Sequence, residues 1–201
     1  MITLFKATPK EYIAQLPLAA FNEKIVVVDS LTECKKAIAF LNNHSILGID
    51  TETRPAFKKG VKHKVSLLQI STEKVCFLFR LNRINVPVEL IDLLTNKNIL
   101  KIGLSLKDDL QALRSRIEFT PNGFIDLQDY GKLLGIQDMS LQKLYANIFG
   151  KKISKGARLS NWDADVLTDS QKHYASLDAY ACLQLYSELL RLKETSDYIF
   201  K

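Results

Sequence analysis

The segment Ile46-Leu47-Gly48-Ile49-Asp50-Thr51-Glu52 sets the strongest constraint on how this chain can fold. Its apolar run reads as a strand, and in a strand residues two apart point to the same face. Asp50 and Glu52 are therefore aimed at one point, roughly 6–7 Å apart along the strand at ~3.3 Å per residue. The apolar residues require burial. The two anions that follow repel each other unless a cation sits between them. The end of this strand must therefore meet both a core and a source of positive charge. A lone Asp-x-Glu is weak evidence for such a site, because surface strands contain it by chance.

Two further acids stand where acids are costly. Leu106, Leu110, Leu113 and Ile117 form the apolar stripe of a helix. Asp109 lies within that stripe and Asp108 lies off it, toward solvent. The helix dipole favours an acid near a helix start. That accounts for Asp108 better than for a core-facing carboxylate, which needs a partner or a metal. Thr168-Asp169-Ser170-Gln171 is a capping-box pattern, and it predicts a long helix to about Leu192. The stripe of that helix holds Tyr174, Leu177, Ala181, Cys182, Leu185 and Leu189. Asp178 is inside the stripe, one turn after Tyr174. Alone, Tyr174 and Asp178 would read as a buried hydrogen-bonded pair. Together with Asp50, Glu52 and Asp109 they read as a site. Carboxylates without His or Cys partners suit Mg²⁺ or Mn²⁺ and argue against zinc or iron.

Three segments carry a family resemblance: Asp50-Thr51-Glu52, Lys101-Ile102-Gly103-Leu104-Ser105-Leu106-Lys107-Asp108-Asp109-Leu110, and Tyr174-Ala175-Ser176-Leu177-Asp178-Ala179-Tyr180. In this order they resemble the motifs of the DEDD superfamily of 3′–5′ exonucleases. The tyrosine four before the last Asp marks the tyrosine subgroup. Within it, the chain is similar to ribonuclease D and Werner-syndrome exonuclease domains. Lys64-Val65-Ser66-Leu67-Leu68-Gln69-Ile70 and Ser160-Asn161-Trp162 are supporting matches, and the resemblance covers roughly Lys24 to Leu192. It departs at Leu104-Ser105-Leu106, where the family often has Asn or His before the second-motif acid.

The resemblance implies an α/β chain of ribonuclease H-like fold. Its mixed five-stranded sheet would have an antiparallel second strand and helices on both faces. Residues 1–23 would be an N-terminal extension packed on an exonuclease domain of residues 24–201. The implied reaction is hydrolysis of DNA or RNA from a free 3′ end to nucleoside 5′-monophosphates, with two Mg²⁺ or Mn²⁺ ions. Asp50 would bridge both ions, Glu52 and Asp178 would complete the first, and Asp109 would hold the second. Tyr174 has a phenol that titrates near ~10, so it would orient the attacking water rather than act as a base. The implied substrate contacts are Thr51, Thr53, Leu104, Ser105, Lys155 and Arg158. A non-catalytic nucleic-acid-binding module of the same fold is the alternative, and the intact set of acids and tyrosine speaks against it.

The rest of the chain fits an α/β pattern. Strands are expected at 24–29, 45–51, 64–72, 75–80, 99–103 and 123–127, with a hairpin across Glu73-Lys74. Helices are expected near 31–42 and from Pro87 to Leu94, and a short helix and loop within 9–22. No apolar run approaches the ~18–20 residues needed to span a bilayer, so no membrane partner is expected. Cys34, Cys76 and Cys182 are odd in number and scattered. With no signal peptide evident at Met1–Lys6, they predict reduced thiols and a cytoplasmic protein. The net charge of +6 and pI of about 9.1 favour an anionic partner. Lys58, Lys59, Lys62 and Lys64 crowd one loop, and Lys151, Lys152, Lys155 and Arg158 another. Flanking the acids, these loops would hold a phosphate backbone that the acids alone repel.

Overall fold

Val65–Ser71 (β4) and Val75–Arg80 (β5) are buried at every position, which places them at the centre of the protein. A computed structural model describes residues 1–201. The other strands of the main sheet are β2 (Lys24–Val28), β3 (Ile46–Thr53), β6 (Leu100–Gly103) and β7 (Phe124–Asp126). The spatial order is β2-β5-β4-β3-β6-β7. Only β4 runs against its neighbours, and all other pairings are parallel. The sheet has six strands rather than five, because β2 joins beyond β5. Ile25-Val26-Val27-Val28 can do so because it is apolar on both faces. Ile25 and Val27 pack toward one core cluster, and Val26 and Val28 toward the other.

Helices cover both faces. On one lie α2 (Leu31–Leu41), α4 (Val88–Thr95) and α5 (Leu106–Arg114); on the other lies the long α8 (Asp169–Thr195). The shorter helices are α1 (Lys10–Gln15), α3 (Leu81–Ile84), α6 (Leu127–Leu133) and α7 (Leu141–Phe149). Strand β1 (Ile2–Leu4) pairs in parallel with β8 (Tyr198–Phe200), and Leu18 bridges to Lys152. Asn147 also accepts from Phe5 N at 2.9 Å and donates to its carbonyl at 2.8 Å, tying the first residues to α7.

Strand β3 positions the site. Its alternation sends Leu47 and Ile49 into the core beneath α2, α4 and α5. Gly48 faces α8, so close that a Cβ there would lie 2.0 Å from the Ala179 carbonyl oxygen. By the same period of two, Asp50 and Glu52 share the α8 face. Neighbour β6 pairs with β3 only as far as Gly48–Ile102, whereas β3 runs on beside β4 to Thr53. The far end of β3 therefore has no strand on its β6 side. A register shift between Glu52 and Thr53 bends it further.

This contact gives a direct stability test. Gly48→Ala forces α8 off the sheet and is expected to destabilise by about 3 kcal/mol or more, as for overpacked cores. Gly60→Ala, where nothing lies within 4 Å of the new Cβ, carries only the backbone strain of a φ of +83°, about 1 kcal/mol. Urea unfolding of the two variants measures the difference. Equal losses would contradict the packing described.

Candidate active site

The acids meet where the open end of β3 faces α8. That helix starts as its sequence predicts. Thr168 Oγ1 accepts from Gln171 N at 3.2 Å, and Gln171 Oε1 accepts from Thr168 N at 3.0 Å. The Gln171 amide then donates to Ser160 Oγ at 2.8 Å and to the Asn161 carbonyl at 3.1 Å. The preceding loop is thus fixed to the first turn of the helix. From the sheet side, the buried Arg80 donates to the carbonyls of Ala164 and Asp165, and Arg83 donates to Asp165 O at 2.6 Å. Trp162 is fully buried and donates to Arg158 O at 3.4 Å; its ring lies 6.1 Å from that of Tyr174. Arg158 and Tyr174 are therefore carried by a braced segment.

Carboxylate oxygens of Asp50, Glu52 and Asp178 lie within 4.8 Å of one another. Glu52 is 9% exposed and Asp178 6%, and Asp178 Oδ1 is buried without a hydrogen-bond partner. Burial raises all three, and repulsion from neighbouring acids raises Asp50 and Glu52 further. Asp50 sits well above the carboxylate range, first from burial and then from Asp178, Asp109 and Glu52. Glu52 is pushed up to about 9 by burial, Asp178 and Asp109, against a lowering influence of Arg158. Burial lifts Asp178 to about 7, moderated by the Tyr174 hydroxyl and Arg158. Tyr174 lies far above the ordinary phenol range because of burial and the adjacent Asp178 and Glu52. It stays protonated at any physiological pH.

Asp109 does not join this trio. Its helix, α5, packs on the opposite face of the sheet, so the acid comes round the open end of β3 from the other side. Thr51, which points away from Asp50 and Glu52, donates its hydroxyl to Asp109 Oδ1. Burial raises Asp109 to about 6, and the Thr51 bond opposes that. Its charge still raises Asp50 and Glu52, so it faces the same space. Asp108 is exposed, as the helical register predicts.

The remaining residues named from the sequence divide. Arg158 is exposed, and its charge reaches Glu52 and Asp178. Thr53 ends β3 beyond the register shift. Leu104 is half-buried against the core on the α8 side, and Lys155 is exposed. Ser105 has a φ of +62°, in the left-handed region. The lysine-rich loop 54–64 leaves β3 directly from the acid end.

Two supporting residues escape sequence reasoning. Asp126 accepts from Ser105 N at 3.0 Å, Leu106 N at 2.9 Å and Gln128 N at 2.9 Å, so one carboxylate fixes the starts of both α5 and α6. It holds Ser105 in its strained conformation and sets the approach of α5, hence of Asp109. The available signal was an Asp between an apolar strand and a helix. Gln69 pairs across from Asp50 and is fully buried, with neither amide atom partnered. A polar residue in the all-buried β4 was its signal.

Residues 25–193 match the 3′-5′ exonuclease family. The chain belongs to that family. Mouse bifunctional 3′-5′ exonuclease/ATP-dependent helicase WRN is 32% identical over 191 residues, covering 90% of this chain and 14% of WRN. The human exonuclease mut-7 homolog is 26% identical over 211 residues, covering 90% of this chain and 24% of that protein. The chain thus spans only a small part of these relatives. Among solved structures, the Aedes aegypti Nibbler EXO domain superposes with a TM-score of 0.80 at 19% identity, covering 90% of this chain and 94% of that one. Escherichia coli RNase D gives 0.77 at 19% identity, covering 88% and 46%. The shared fold is the ribonuclease H-like arrangement of exonuclease domains.

The raised acids give this chain a characteristic pH response. A carboxyl raised in the folded state contributes stability that is complete below ~4, where the unfolded chain is also protonated. That stability is lost as pH rises through about 6 for Asp109, 7 for Asp178 and 9 for Glu52. In chelator, the melting temperature is expected to fall between pH 5 and pH 9, and saturating Mn²⁺ to remove most of the fall. A melting temperature that is flat or rising over that range in chelator would contradict the cluster electrostatics.

Proposed function

We propose that this chain is a metal-dependent 3′–5′ exonuclease that removes nucleoside 5′-monophosphates from the 3′ end of DNA or RNA. The observation that carries the reading is the trio Asp50, Glu52 and Asp178 within 4.8 Å, with an Asp178 oxygen buried and unpartnered. Carboxylates this close cannot all ionise without a cation. Oxygen donors without His or Cys fit Mg²⁺ or Mn²⁺. Asp50, Glu52 and Asp178 would hold one ion, and Asp50 with Asp109 a second. Bound there, divalent ions supply Lewis acidity toward the scissile phosphate and the attacking water.

The chain's own residues do the rest. Tyr174 stays a neutral phenol beside Asp178, so its oxygen is free to accept from a water and fix its direction. Arg158 brings positive charge to the acids' rim, where a phosphate would otherwise be repelled. The bracing of its loop by Arg80, Arg83 and Gln171 limits reorganisation during the reaction. Lysines 58, 59, 62 and 64, at the exit of β3, would follow the phosphate backbone. Asp109 is tethered by Thr51, so a second ion would have to draw it from, or share it with, that hydroxyl.

The test uses 5′-labelled linear single strands and closed circles, in Mn²⁺ and in excess chelator. Stepwise shortening of linear strands from the 3′ end is expected, with circles intact and no activity in chelator. Cutting of circles at linear rates, or chelator-resistant activity, would overturn the reading. Asp109→Ala is expected to abolish cleavage and Asp108→Ala to retain most of it; loss in both would place Asp108 at the site too. Tyr174→Phe is expected to lower kcat by ~10²-fold while Mn²⁺ affinity holds, the scale of a positioned hydrogen-bonding group. Wild-type turnover in that variant would reduce the tyrosine to packing.

A further inference from the structure

We propose that the free edge of β2 is a docking site for an extended acidic segment of a partner protein, which adds to the sheet as one more strand. Strand β2 is the last in the sheet and pairs only with β5. Its residues Ile25, Val26, Val27 and Val28 are four apolar residues in succession, the first three half-exposed, with no proline and no bulge. Proteins usually protect such an edge with charge, proline, a bulge or a cover. Here the only charge on the strand is Lys24 at its start.

Beside this edge lies a groove of about 450 Å³. Val26, Val75 and Phe77 form its sheet side, and Ala37 and Phe40 of α2 form the facing wall. Phe40 is 42% exposed despite its size. A strand added to β2 would place every second side chain against that wall and main-chain groups against the open edge. Strand edge and flanking helix together are the arrangement used in peptide recognition by strand addition.

Charge identifies the partner. Lys24, Lys36 and Lys74 rim the groove, and none of them is ion-paired. The one acid at the rim, Glu33, is engaged at the start of α2, accepting from Ser30 Oγ at 2.9 Å and Asp29 N at 3.3 Å. The chemistry that fits is an extended segment with apolar residues at alternate positions and Asp or Glu between them. The groove sits where β2 and β5 begin, whereas the acids sit where the parallel β3 ends, on another strand of the sheet. Docking there leaves the exonuclease site accessible, so a partner could deliver the enzyme to its substrate.

The probe is a fluorescent synthetic peptide of alternating Asp and Val, with two controls: alternating Lys and Val, and the acidic peptide interrupted by proline. Binding to the full chain is followed by polarisation, and amide hydrogen exchange locates it. The acidic peptide is expected to bind, to protect Lys24–Val28 amides, and to weaken at least about tenfold in K36E/K74E. Both controls are expected to fail, and K36E/K74E is expected to keep its melting temperature and its nuclease rate. No binding up to roughly 1 mM, the weak limit of specific recognition, would overturn the proposal. So would insensitivity to charge reversal, or protection elsewhere. Protection of β2 that grows with protein concentration in the absence of peptide would assign the edge to a second copy and also overturn it. The readout is binding, so failure here leaves the exonuclease reading standing, and failure of nuclease assays leaves this one standing.

Discussion

The backbone contact between Gly48 and Ala179 is the constraint on which the rest of the structure depends. It lets α8 cross β3 with no side chain between them. One turn of strand alternation beyond Gly48 stands Asp50, and one residue before Ala179 stands Asp178. Packing strand and helix this tightly therefore delivers two carboxylates to one place. A larger residue at 48 would separate the elements and with them the acids. The site is a consequence of the core, not an addition to it.

That geometry forces unfavourable electrostatics on the fold. Three carboxylates gather where two are nearly buried, and one oxygen of Asp178 has no partner at all. Arg158 is the one cation whose lowering influence reaches both Glu52 and Asp178, and it is exposed. The surrounding structure supplies rigidity rather than neutralisation. Arg80, Arg83 and Gln171 clamp the loop before α8, and Asp126 clamps the starts of α5 and α6. A braced group of oxygen donors with no paired cation favours a hard divalent ion.

Much of this was legible in the sequence, for local reasons. The alternation of β3, the two helical stripes that hold Asp109 and Asp178, and the Thr168–Gln171 cap are each encoded within one helix or one strand. What escaped depends on contacts between distant segments. Thr51 and Asp109 are 58 residues apart, and nothing local says that the hydroxyl between two acids will tether a third. The clamp of Arg80 on Ala164 spans 84 residues. The sixth strand was visible as an apolar run, but its place beyond β5 follows from which edge remained open. Gln69 lies within a matching segment, yet its burial opposite Asp50 depends on the β3–β4 register.

The central claim is that burial and crowding keep part of the trio protonated near neutral pH, and that divalent cations displace those protons. Calorimetric titration of Mn²⁺ into the protein, in buffers of different ionisation enthalpy at pH 7 and pH 9, tests it most directly. Burial holds Glu52 at about 9 and Asp178 at about 7, so saturable binding should release protons at pH 7, and fewer at pH 9. Saturable binding with no proton release at pH 7, or no saturable binding at either pH, would contradict the account.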